Sequence, residues 1–64
     1  MPSFTPQLTK LLQENGCRFE RQGKGDHEIW FSPRNGRRFV VDSDIRSRHT
    51  ANAVLKQAGL GKHF

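Results

Sequence analysis

Sixty-four residues, of which 33% are hydrophobic, are enough for one small domain spanning 1–64 with a thin core, and too few for a second. Eleven Lys and Arg against six Asp and Glu leave a formal charge of +5, which attracts polyanions and repels other basic proteins. The lone Cys17 excludes an internal disulfide framework, and no apolar run exceeds three residues, so neither a membrane span nor a secretory signal is expected. A reducing, cytoplasmic setting is the expectation.

Thr5-Pro6 reads as an N-cap followed by proline at the first helical position, where its missing N–H costs nothing. Leu8, Leu11 and Leu12 then form one apolar stripe before Asn15-Gly16, which predicts a first helix over about Pro6 to Asn15. From Cys17 the period changes to two: Cys17, Phe19 and Arg21 alternate with Arg18, Glu20 and Gln22, predicting a strand with Cys17 and Phe19 inward. Gly23-Lys24-Gly25-Asp26 is a tight connection. His27 to Ser32 and Arg37 to Asp42 are two further strands, joined by the turn Pro33-Arg34-Asn35-Gly36.

Ser43 to His49 reads as polar and irregular apart from Ile45. Thr50 is placed to cap a last helix carrying Ala51, Val54, Leu55 and Ala58 on one stripe, with Gly59 ending it. Two helices with one stripe each and a three-stranded antiparallel sheet give an α+β fold of order α-β-β-β-α, both helices on one face. That is the topology of double-stranded-RNA-binding domains. Within the second strand, two arrangements are open. With Trp30 turned to the helices, His27, Ile29 and Phe31 share the uncovered face; with Ile29 and Phe31 in the core, a bulge near Asp26 or His27 is needed to bring the imidazole outward. The first is preferred because it exposes His27 without irregularity.

Several segments, taken together and in order, resemble the HicA family of mRNA interferase toxins: Asn15-Gly16, Arg21-Gln22-Gly23, Lys24-Gly25-Asp26-His27-Glu28-Ile29-Trp30, Asn35-Gly36-Arg37-Arg38 running into Phe39-Val40-Val41, and Val54-Leu55-Lys56-Gln57-Ala58-Gly59-Leu60. The resemblance implies an RNA-cleaving toxin with a double-stranded-RNA-binding-like fold, neutralised by a HicB-type antitoxin. The family's Gly-Ser-His segment maps onto Gly25, Asp26 and His27, with Asp26 in place of the usual serine and Glu28 where a second histidine is frequent. Asp26 either weakens RNA binding or orients the imidazole.

His27 is thus the expected catalytic residue. RNA carries its own nucleophile, the 2′-OH, so scission by transesterification asks the protein for proton transfer, alignment and charge stabilisation, and needs no metal or other cofactor. Arg21, Lys24, Arg37 and Arg38 are the expected cations for RNA phosphates, and Gly23 and Gly25 either admit a phosphate to the backbone or only shape the turn. The expected partners are mRNA, single-stranded or structured, and the antitoxin. A non-catalytic RNA-binding module, or a basic protein whose partner is acidic, is the alternative. Cys17, His27, His49 and His63 lack the close ligand pair of a zinc site, and Cys17 is expected as a buried small hydrophobe.

Overall fold

The computed structural model describes residues 3–64. Helix α1 (Thr5–Glu14) is followed by strands β1 (Arg18–Gln22), β2 (His27–Ser32) and β3 (Arg37–Asp42), and helix α2 (Arg48–Gln57) closes the order. The strands form one antiparallel sheet in the order β1-β2-β3. This is the α-β-β-β-α architecture that the two apolar stripes and the two turns predict.

One face of the sheet carries the core. Trp30, Phe39 and Val41 from the strands meet Leu8 and Leu12 of α1 and Ala51, Val54 and Leu55 of α2, with Cys17, Ile45 and Ala58 sealing the margins. Phe4, Leu11, Leu60 and Phe64 pack against the outside of this cluster. Trp30 therefore points to the helices, and its indole N–H donates to Glu28 Oε1 at 2.9 Å, so the one polar atom of the ring is satisfied.

The helix starts differ from the sequence expectation, at α1 for a tertiary reason and at α2 for a local one. Thr5 is the first residue of α1 and not its cap, which puts Pro6 one position later than expected. The Thr5 hydroxyl donates to the Asp42 carbonyl and accepts from the Ile45 N–H, both at 3.0 Å, so it ties α1 to the end of β3. Ser3 Oγ takes over the capping task by accepting the Thr5 N–H at 3.1 Å. Likewise Ser47, extended at φ −102° and ψ 128°, caps α2 by accepting from the Thr50 N–H. Thr50 lies inside the helix, as do Arg48 and His49, which the sequence predicts as irregular.

Phe19 is the other departure. It has the parity of Trp30, its partner in the ladder, yet is 48% exposed, because β1 is an edge strand that the helices do not reach. Its ring contacts Trp30 edge-on at 6.4 Å.

Helix ends give the molecule polarity. At their C-terminal ends both helices meet the β2–β3 turn. Gly16 lies against Pro33 beyond α1, while Asn35 Nδ2 donates to Gln57 O at 2.8 Å and Ser32 Oγ to Ala58 O at 2.6 Å. Gly59, at φ 81°, then reverses the chain so that Leu60 N–H returns to Leu55 O. The N-termini of both helices consequently lie at the opposite end of the sheet, where β2 begins and β3 finishes.

Candidate functional site

Among the described residues no helix covers the second face of the sheet, and the register of the ladder fixes which side chains stand on it. His27 pairs with Asp42, Ile29 with Val40 and with Arg21, and Phe31 with Arg38 and with Arg18. His27, Ile29 and Phe31 therefore share the open face, the arrangement preferred from the sequence, with no bulge near Asp26 or His27. The irregularity is in β1, where the register steps from Phe19 to Arg21 against a single step on β2. Glu20 is the extra residue, and it shifts the alternation so that Arg21 stands on the open face, not on the side of Cys17 and Phe19.

His27 opens β2 directly after a turn that its own backbone helps to close. Gly23 N–H and Gln22 Nε2 both donate to the His27 carbonyl, at 2.8 and 2.9 Å, and His27 N–H donates to Lys24 O at 3.1 Å. Gln22 Nε2 also reaches Gly25 O at 3.2 Å. Gly25 takes φ 61°, a conformation costly to residues with a Cβ. Gly23 is constrained by space instead, since a Cβ there would lie 3.1 Å from His27 O and 3.2 Å from Ile29 Cδ1.

The imidazole is half-exposed, and its Nε2 lies 2.7 Å from Asp42 Oδ1. Asp26, which the sequence offered as the carboxylate to orient the ring, stands exposed in the turn; the carboxylate that reaches Nε2 is that of Asp42. Asp42 was missed, although a signal for it exists. A turn that closes Ser32 against Arg37 pairs residues whose numbers have a constant sum, which sets 42 opposite 27. Glu28, beside His27 in sequence, turns to the helix side and holds the Trp30 indole.

The expected cations are distributed unevenly. Arg21 and Arg38 share the open face with His27, and Lys24, with Gly23 and Gly25, belongs to the turn before it. Arg37 stands apart: it pairs with Ser32 at the other end of β2, five steps or roughly 16 Å along the strand from His27, and has the parity of the helix side. Arg18, not singled out from the sequence, lies with its guanidinium 4.8 Å from the Phe31 ring centre, and Arg38 approaches the same ring at 5.6 Å. Arg38 Nε is also 2.6 Å from Glu20 Oε2. That hydrogen bond, with the charges of Arg38, Arg21 and Arg18, holds the Glu20 carboxyl below its ordinary range, and the same hydrogen bond with the Glu20 charge raises the Arg38 guanidinium above its own.

The remaining sequence candidates lie elsewhere. Cys17 is buried, and His63 stacks edge-on with Phe64 at 5.1 Å on the tail. Among the described residues no three His, Cys, Asp or Glu side chains converge as metal ligands would. A cleft of about 300 Å³ lined by Leu11, Asn15, Arg34, Leu60, Lys62 and His63 sits at the turn end of the molecule, away from His27. No described helix is long and apolar enough to cross a membrane.

The family whose description reads "HicA toxin of bacterial toxin-antitoxin" matches residues 6–60, which takes in every strand, all of α2 and all but the first residue of α1. The chain belongs to the HicA toxin family. No curated protein and no solved structure matches it. As a HicA toxin it is one half of a toxin-antitoxin pair, and an antitoxin protein is its implied partner.

Proposed function

We propose that this HicA toxin is a metal-independent endoribonuclease that cleaves mRNA in the cytoplasm, with His27 as the proton-transfer group and a HicB-type antitoxin as its inhibitor. The observation that carries the reading is the placement of His27. Its ring is half-exposed, beside a carboxylate, on the sheet face that also carries Arg21 and, further along, Arg38, and next to the turn that carries Lys24.

The chemistry asks little more of the protein. His27 takes the proton of a ribose 2′-OH as that oxygen attacks the adjacent phosphorus. The P–O5′ bond then breaks, and a proton returns to the departing O5′ from the imidazolium or from water. Arginine and lysine side chains stabilise the negative charge that builds on the phosphorane. Ile29 and Phe31 lie on the same face, two and four residues on from His27, where unpaired bases can stack on apolar and guanidinium surfaces. The antitoxin inhibits by covering this face, its acidic groups matching the arginines.

Incubating a single-stranded RNA with the wild type and with His27→Ala tests the assignment. The wild type is expected to yield 2′,3′-cyclic phosphate and 5′-OH ends and to keep its activity in EDTA. The variant should bind RNA with unchanged salt dependence and cleave about 10²-fold more slowly or worse. Cleavage by His27→Ala at the wild-type rate, or complete arrest of the wild type by EDTA, would overturn the proposal. RNA binding by a wild type that cleaves nothing would leave a binding module instead.

A further inference from the structure

We propose that Asp42 is a positioning residue for His27. In this role it keeps a proton on Nε2, so that Nδ1 is the nitrogen that exchanges protons with RNA. The inference rests on the reading of His27 as the proton-transfer group, and it adds which atom acts and what holds it.

The geometry supplies the first step. Nε2 and Oδ1 are 2.7 Å apart, and two lone pairs facing each other at that separation repel, so a proton lies between them. Between an imidazole and a carboxylate, the ring nitrogen is the stronger base. The proton therefore resides on Nε2, and the neutral ring presents Nδ1 as its lone pair. Among the described residues no hydrogen bond engages Nδ1, so that nitrogen is available to a substrate hydroxyl.

Asp42 is itself held from behind. Its carbonyl accepts the Thr5 hydroxyl at 3.0 Å, and the same oxygen of Thr5 accepts the Ile45 N–H at 3.0 Å. The last residue of β3 is thus fastened to the first turn of α1 and to the loop that follows. Across the ladder His27 is fastened by the Gly23 and Gln22 hydrogen bonds to its carbonyl. Both members of the pair therefore have fixed backbones, and the ring has one orientation in which Nε2 meets the carboxylate. An imidazole without that partner would divide its time between two tautomers and several rotamers, and only a fraction would present the productive nitrogen.

Two measurements test this. The first is ¹⁵N spectroscopy of the His27 ring in the unsubstituted protein above about pH 8, where histidines are ordinarily neutral. A protonated Nε2 and a bare Nδ1 are expected; the reverse tautomer would overturn the proposal without any variant being made. The second is Asp42→Asn, whose amide can offer an N–H to Nε2 and so favours the wrong tautomer. Its kcat on a short single-stranded RNA should fall about tenfold or more with KM within about twofold of the wild type, and the ring signals should move toward a protonated Nδ1.

If Asp42→Asn keeps both the wild-type kcat and the wild-type ring signals while His27→Ala is inactive, the pair is only a cross-strand contact and this proposal fails. If His27→Ala cleaves as the wild type does, the nuclease assignment of His27 fails, and the ring spectrum still decides whether Asp42 sets the tautomer.

Discussion

Ser32→Ala isolates the contact that joins the sheet to the end of α2. Ser32 is fully buried, and its hydroxyl donates to Ala58 O at 2.6 Å while accepting the Arg34 N–H at 3.3 Å. Removing the hydroxyl leaves the Ala58 carbonyl, on a residue that is itself fully buried, without this donor. A buried polar group stripped of its partner costs about 1–3 kcal/mol. Against a core of this size, which seldom supplies more than about 3–5 kcal/mol, that is a large fraction of the whole. Near the middle of the range, about 2 kcal/mol, the midpoint of thermal unfolding should drop by roughly 8–16 °C. Ser32 lies at the far end of β2 from His27, so RNA cleavage per folded molecule, assayed well below the transition, should match the wild type. A fall of less than about 2 °C would refute the argument, because it would mean that water or a shift of the helix end satisfies the carbonyl at little cost.

The turn before His27 yields a second expectation. Gly25 has φ 61° with open space around it, so Gly25→Ala should lose about 1 kcal/mol through backbone strain alone, while Gly25→Asn, which tolerates that conformation, should recover most of it in a melting experiment. Equal melting points for the two variants would count against it. The Glu20–Arg38 pair sets a pH dependence. Because the folded state lowers the Glu20 carboxyl from its ordinary 4.5, the pair's contribution is present above that value and fades as pH falls through the lower, folded one. Glu20→Gln should therefore melt slightly below the wild type at neutral pH and converge with it in acid; a gap that persists at acid pH contradicts the assignment. Asn52 clamps the tail by donating to Phe64 O at 3.1 Å and accepting from the His63 and Phe64 N–H groups at 3.2 and 3.0 Å. Asn52→Ala should speed hydrogen exchange at those two amides, and unchanged protection there would show that the Phe4–Phe64 contact alone holds the tail.

Where the pattern is local, the fold was legible. The Leu8, Leu11 and Leu12 stripe, the glycine-bearing turns and the stretches His27 to Ser32 and Arg37 to Asp42 fall in the structure where propensity puts them. The start of α1 was not, because Thr5 is drawn into bonds with Asp42 and Ile45, and nothing near Thr5 in sequence announces residues some forty positions away; at α2 two local caps compete, and Ser47 takes the task three residues before Thr50. The face of Arg21 was hidden by the residue inserted at Glu20, since a strict alternation cannot show where one strand carries two residues against one. Parity alone predicts Phe19 inward, and parity says which side a residue takes but not whether a helix extends far enough to cover it. Of the candidate site, the sequence supplies His27 and its uncovered face. It leaves Asp42 unremarked because register had to be counted through the Pro33–Gly36 turn before the two could be seen as neighbours.

The doubled residue in β1 also decides how freely one cation of the open face can move. Phe19 faces Trp30 and Arg21 faces Ile29 whether or not Glu20 stands between them, so a deletion of that single codon would leave an uninterrupted ladder with the same outward set. What would vanish is the acid that tethers Arg38 across the Phe31 ring. Glu20 is thus a brake on a cation, set where the ladder carries one residue more than it pairs, and its loss frees the Arg38 guanidinium without altering which side chains face outward.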